Sequence, residues 1–166
     1  MSNYAEISIF SRDRFTWLAY IMLGYYAFLQ ASLGPLMPFL RDELGLNYTV
    51  SGLHLSAFAI GMVLAGLLGS RLARLWGRTR LFWGGGAGFA TRAVLLSMGQ
   101  VAILTVASCF VIGFLGSFLL VMIQSTLTDH HQQNRAIALT EANIIASILA
   151  FISPLLIGLG ENSGLG

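Results

Sequence analysis

Residues 69–80 read GSRLARLWGRTR. Arginine stands at 71, 74, 78 and 80, no acidic residue interrupts them, and long apolar stretches lie on either side, at about 50–70 and 81–99. Lipid-crossing helices need about 20 largely apolar residues each. A basic break between two such stretches marks a turn at a membrane surface.

Composition agrees with that reading. The chain has 166 residues, is 56% hydrophobic and 10% charged, and has a mean hydropathy of +0.77. Soluble domains carry about 25% charged residues, and a domain of this size leaves much of its surface in water. All nine basic residues are arginine. The net charge of +2 does not point to nucleic acid, which needs a basic stripe on a soluble module; here the arginines punctuate apolar runs. Cys109 is the single cysteine, so no internal disulfide forms and redox compartment is not signalled. The opening MSNYAEISIFSRDRF lacks the charged, apolar, small-residue order of a cleavable signal.

Five apolar stretches qualify as spans, at about 15–40, 50–70, 81–99, 101–127 and 136–159, after a tail at 1–14 and before a polar tail at 161–166. The run 81–127 has Arg92 as its only charge and is too long for one crossing, so it folds back tightly near Ser97–Gln100. The predicted fold class is all-α, a polytopic transmembrane bundle of five spans. Counting arginines by side sets the orientation. With the N-terminus cytoplasmic, Arg12, Arg14, Arg71, Arg74, Arg78, Arg80 and Arg135 fall inside and Arg41 alone among loop arginines falls outside. Trp17, Trp76 and Trp83 then share one interface, where amphipathic rings prefer to sit.

Small residues recur every four positions: Gly61, Ala65 and Gly69 on the second span, Gly84 and Gly88 on the third, Cys109, Gly113 and Ser117 on the fourth. That spacing lets helix backbones approach in lipid. It predicts close packing and says nothing of substrate.

The arginine segment resembles the loop between helices two and three of the major facilitator superfamily, whose pattern there is Gly-x-Leu-Ala-Asp-Arg-x-Gly-Arg-Arg/Lys. Leu72, Ala73, Gly77 and Arg78 match in register, Gly69 or Ser70 stands for the first glycine, and Arg80 adds a further charge. The stretch GPLMPFLRDELGLNYTVSGLHLSAFAIGMVLAGLLG looks like the end of helix one, its outer loop and helix two, and RAIALTEANIIASILAFISPLLIG is similar to helix five. The resemblance implies the N-terminal half of a permease that works by alternating access on an unidentified small molecule, in a bacterial cytoplasmic (inner) membrane. Its partners are then the lipid bilayer and a second half-bundle or a larger membrane complex.

Two departures bear on this. Arg74 replaces the family's aspartate, which resembles a latch holding the two halves together, and Leu75 replaces the next arginine. Family members have about twelve spans in two six-helix halves, against five here. These departures support the alternative reading, a non-transporting half-permease serving as an accessory subunit.

The candidate site residues follow. Tyr26 and Gln30 are four apart and share a face of the first span, and the resemblance places that helix along the cavity. Arg92 lies midway along the third span, where a charge needs a partner or water; snorkelling or an intrahelical pair is the plainer reading. Gly77, Arg78, Arg80, Arg74, Asp129 and Glu141 form a candidate cytoplasmic clasp, with Asp129 a partner for Arg78 and Glu141 a partner for an arginine of 71–80. His54 reads as a hydrogen-bonded interface residue, and His130 and His131 as solvated loop residues rather than metal ligands. GGGAG at 84–88 lacks the Lys-Ser/Thr of a phosphate loop, and no triad surrounds Ser125, Thr126 and Thr128. No enzyme activity, cofactor or metal is expected.

Overall fold

A computed structural model describes the backbone of residues 10–97 and 102–162, and the side chains over 10–88 and 102–160. Helices make up nearly all of the described chain: α1 Arg14–Ala31, α2 Leu33–Leu44, α3 Tyr48–Trp76, α4 Arg78–Ser97, α5 Ala102–His131 and α6 Arg135–Asn162, with a short 3-10 turn Gln132–Asn134 before α6. Two helical stretches are long and apolar enough to cross a membrane, Tyr48–Trp76 and Ala102–Gly160, the second taking in both α5 and α6. The tight connection expected at 97–100 lies outside the described residues beyond Ser97, as do the outer parts of both tails.

Helix boundaries depart from the sequence expectation in two places. The stretch 15–40 is two helices, α1 and α2, meeting at Ser32, and α2 continues through Arg41–Leu44. Pro35 explains the break, because it has no N–H to bond the Ala31 carbonyl four residues back, whereas Pro38 lies inside α2. Ser32 meets the junction by donating its hydroxyl to the Leu29 carbonyl at 2.7 Å. The second departure is at the arginine segment, which is not a loop. α3 carries Arg71 and Arg74 into its last turns and stops only at Gly77, whose φ of 83° ends the helix. Arginine is a good helix former, and its charge is favourable at a helix C-terminus. Gly77 is the residue type that turns the chain there at no steric cost.

The core is organised around α5, which packs against α3, α4, α6 and α1. Pairing is reciprocal: α3 lies along α5 while α1 lies along α6. Close approach at the first pair comes from two glycines. A Cβ on Gly61 would meet the Phe110 carbonyl at 2.5 Å, and one on Gly113 would strike the Phe58 carbonyl. Ala65 and Gly69 follow on the same buried stripe of α3. Against α4, the close contacts belong to Gly85 and Gly88, which meet Leu115 and Leu119. Gly84 was the expected partner of Gly88 but has open space around its Cβ position, so the GGGAG run presents its middle glycine to α5.

One buried polar contact crosses the α3–α5 seam. His54 is fully buried; its Nδ1 lies 2.8 Å from the Val50 carbonyl and its Nε2 2.8 Å from Thr105 Oγ1. The Thr105 hydroxyl itself donates to the Ala102 carbonyl at 2.9 Å, which ties the contact back to the start of α5. The outward faces of α3 and α6 carry large apolar side chains such as Leu67 and Phe151, both 70% exposed.

The glycine crossing is directly testable. Gly113→Ala forces two backbones apart, an overpacking cost of about 1–3 kcal/mol, whereas Gly66→Ala adds a methyl to open space and leaves stability unchanged or slightly raised. Thermal unfolding of both variants in detergent checks the contrast. Equal melting temperatures would show that stability does not depend on the close approach at Gly113.

Candidate functional site: the arginine-rich end and its clasp

One end of the bundle gathers the N-terminal arm, the α3–α4 turn, the end of α5 and the start of α6. The arm enters α1 through Asp13, an N-cap whose carboxylate accepts from the Thr16 N–H at 2.9 Å and from the Thr16 hydroxyl at 2.6 Å. Just upstream, Arg12 donates from Nε and Nη2 to the two Glu141 oxygens at 2.8 and 2.5 Å, a bidentate pair. The Tyr20 hydroxyl donates to the same carboxylate at 3.1 Å. Arg12 also lies over the Phe10 ring, 5.1 Å from its centroid.

The C-terminal turn of α5 completes the clasp. His130 Nε2 lies 2.8 Å from Asp13 Oδ2, and His131 Nε2 lies 2.7 Å from Thr16 Oγ1. Since the Thr16 hydroxyl donates to Asp13, the His131 nitrogen donates to Thr16. The rings are held by aromatic neighbours: Phe10 against His131 and Phe15 against His130, each at 4.9 Å between centroids. Beyond them Gln132 adopts a left-handed φ of 39° and ends α5. Arg78, at the start of α4, pairs with Asp129 on α5.

Electrostatics follow from these contacts. Bonds from the Thr16 hydroxyl and amide, and then from His130, hold the Asp13 carboxyl down to about 2. Burial, with a smaller push from His130, lowers His131 below the usual imidazole value. Glu141 raises the Arg12 guanidinium further.

The sequence-predicted residues are distributed unevenly. Arg78 and Asp129 come together. Glu141 does not meet the 71–80 segment: among the described residues α6 packs mainly against α1, so Arg12 of the N-terminal arm reaches it first. Arg74 and Arg80 are exposed, and no described carboxylate lies within ion-pair distance of either. Tyr26 is buried within this bundle. It is 3% exposed, on the face of α1 that Ala19 and Leu23 also bury, with Ser117 of α5 nearby. Gln30 is half-buried on the same side. The Arg92 backbone lies in α4, while its side chain lies outside the described residues.

A cavity of about 420 Å³ opens between α1, α4 and α5 close to the clasp. Phe15, Leu18, Met22, Phe82, Met122 and Ile123 make it apolar, and Arg78, Thr79 and Thr126 are its polar members. Sequence reasoning found neither this cavity nor the roles of Arg12, Asp13 and Thr16. The single available signal was the Asp-x-x-Thr spacing of an N-cap before an apolar run.

Acid should loosen the clasp in two stages. His131, whose imidazole is held below 6.5, contributes stability above that value and loses it as pH falls. Asp13 contributes above 3.8 and loses it as pH falls towards about 2. Melting curves against pH are the check. His131→Gln removes the upper stage, and the deficit of Asp13→Ala relative to the parent closes between pH 4 and 2. A deficit independent of pH would refute the charge assignment.

A family profile described as Major Facilitator Superfamily matches residues 10–161. No curated protein and no solved structure matches the chain. With the profile covering every described helix, and with apolar helical stretches long enough to cross a bilayer, this chain belongs to the Major Facilitator Superfamily and is an integral membrane protein of that transporter family.

Proposed function

We propose that the chain is the N-terminal half of a permease that works by alternating access, crossing the membrane five times with its N-terminus in the cytoplasm. The family match over residues 10–161 carries this reading. Two further features support it. The reciprocal pairing of α3 with α5 and of α1 with α6 is the pattern expected of inverted repeats nested within a half-bundle. The arginines of the α3–α4 turn, the arm and the α5–α6 connection gather at one end, as positive charge does on the cytoplasmic side. A bacterial inner membrane fits the family reading. On this reading the chain binds and carries; it has no catalytic role, and a facing half-bundle completes the central pathway.

Arg74 favours a second reading, an accessory subunit that does not transport. It is exposed at the last turn of α3, where the family pattern has an aspartate. A carboxylate there would accept hydrogen bonds from a facing helix N-terminus, and a guanidinium repels one.

Cysteine labelling separates these readings. Cys109 is buried, so background labelling is low. The five-span topology predicts that a membrane-impermeant maleimide reaches Asn47→Cys from outside only and Gln133→Cys from inside only. Labelling of both from one side would overturn it. In the full native assembly, Gln30→Cys reacts slowly from both sides if the half-bundle gives alternating access. Reaction from neither side would leave the accessory-subunit reading.

A further inference from the structure

We propose that Asp13, His130 and His131 bind a single divalent transition-metal ion of the zinc class, joining the start of α1 to the end of α5. One donor atom from each residue lies within 4.8 Å of the others, and Asp13 Oδ2 and His130 Nε2 are 2.8 Å apart. In a tetrahedral site with bonds of about 2.0–2.1 Å, neighbouring ligand atoms are about 3.4 Å apart. The cluster therefore brackets the required edge length, and small side-chain shifts close it on an ion.

Chemistry selects the class of ion. Two imidazoles and one carboxylate are borderline donors that favour zinc, cobalt, nickel or copper over magnesium or calcium. Three protein ligands leave a fourth position for water, which the exposure of Asp13 and His130 allows.

The surroundings hold the ligands in place. Thr16 bonds both Asp13 and His131, the outer-shell role that orients ligands in metal sites. Phe10 and Phe15 pack on the two imidazoles, which meet each other edge to face at 4.8 Å. The adjacent arginines Arg12 and Arg78 are matched by Glu141 and Asp129. The α5 C-terminus, with its partial negative charge, favours a cation at this position.

The test uses the full chain, purified in detergent without a polyhistidine tag and stripped by a chelator. Titration with Zn²⁺ against a chromophoric chelator should give one ion per chain, and Co²⁺ should give the intense visible bands of four-coordinate cobalt. His130→Gln and His131→Gln should each weaken Zn²⁺ binding at least about 10-fold, and Thr16→Val, acting through His131, about 10-fold. Mg²⁺ should not compete. A second measurement needs no variant: Zn²⁺ should protect both histidines from acylation by diethyl pyrocarbonate. Substoichiometric Zn²⁺, a six-coordinate cobalt spectrum, unchanged affinity in His130→Gln and His131→Gln, or unprotected histidines would each overturn the site.

Discussion

Everything else in this bundle depends on the backbone contact where α3 crosses α5. Helices in lipid gain little from burying apolar side chains against one another, because the acyl chains are equally apolar. Close packing must supply the attraction, and it is strongest where side chains vanish. At Gly61 and Gly113 the two helices meet carbonyl to Cα, and the stripe Ala65–Gly69 extends the contact towards the arginine-rich end. Once α3 is seated, α5 still has a face for α4, which approaches through Gly85 and Gly88, and another for α1 and α6. The hub is accordingly the most buried helix, with residues such as Ile112, Phe118 and Leu127 almost wholly enclosed.

The seam also tolerates one polar pair. His54 and Thr105 sit at the far end of the α3–α5 contact, where both side chains are hydrogen-bonded. Such bonds contribute about 0.6 kcal/mol on average in membranes, less than the close packing around them. Their value lies in register: the pair can form only when α3 and α5 are not displaced by a turn.

Much of this architecture is legible in the sequence. Apolar length and arginine placement give the helices, the small-residue spacing gives the α3–α5 stripe, and the loop pattern identifies the family. What failed had physical causes. A basic break between apolar stretches looks like a loop, yet Arg71 and Arg74 lengthen α3 until a glycine with positive φ stops it. Gly84 and Gly85 cannot be ranked by a four-residue spacing within a run of three glycines. For Tyr26 and Gln30, helix periodicity gives a shared face but not what that face meets. Glu141 found Arg12 rather than the 71–80 segment, because the choice depends on which helices are neighbours, and no local pattern encodes that α6 lies beside α1.

The same neighbour relations divide the arginine-rich end into two electrostatic halves. Asp13, Asp129 and Glu141 all belong to the side built from α1, α5 and α6, where they meet His130, Arg78 and Arg12. The α3 side has no acid among its described residues, and Arg71, Arg74 and Arg80 remain exposed there. Arg74 is favoured by the C-terminus of its own helix, and water or anionic headgroups solvate Arg71 and Arg80. Anything that docks on this side must bring negative charge or accept repulsion. A helix N-terminus is therefore a poor partner, whereas a carboxylate or phosphate is a good one. Arg74 thus reverses the sign of the surface that an aspartate would have offered, and the clasp at the other side cannot compensate, because its acids are already engaged.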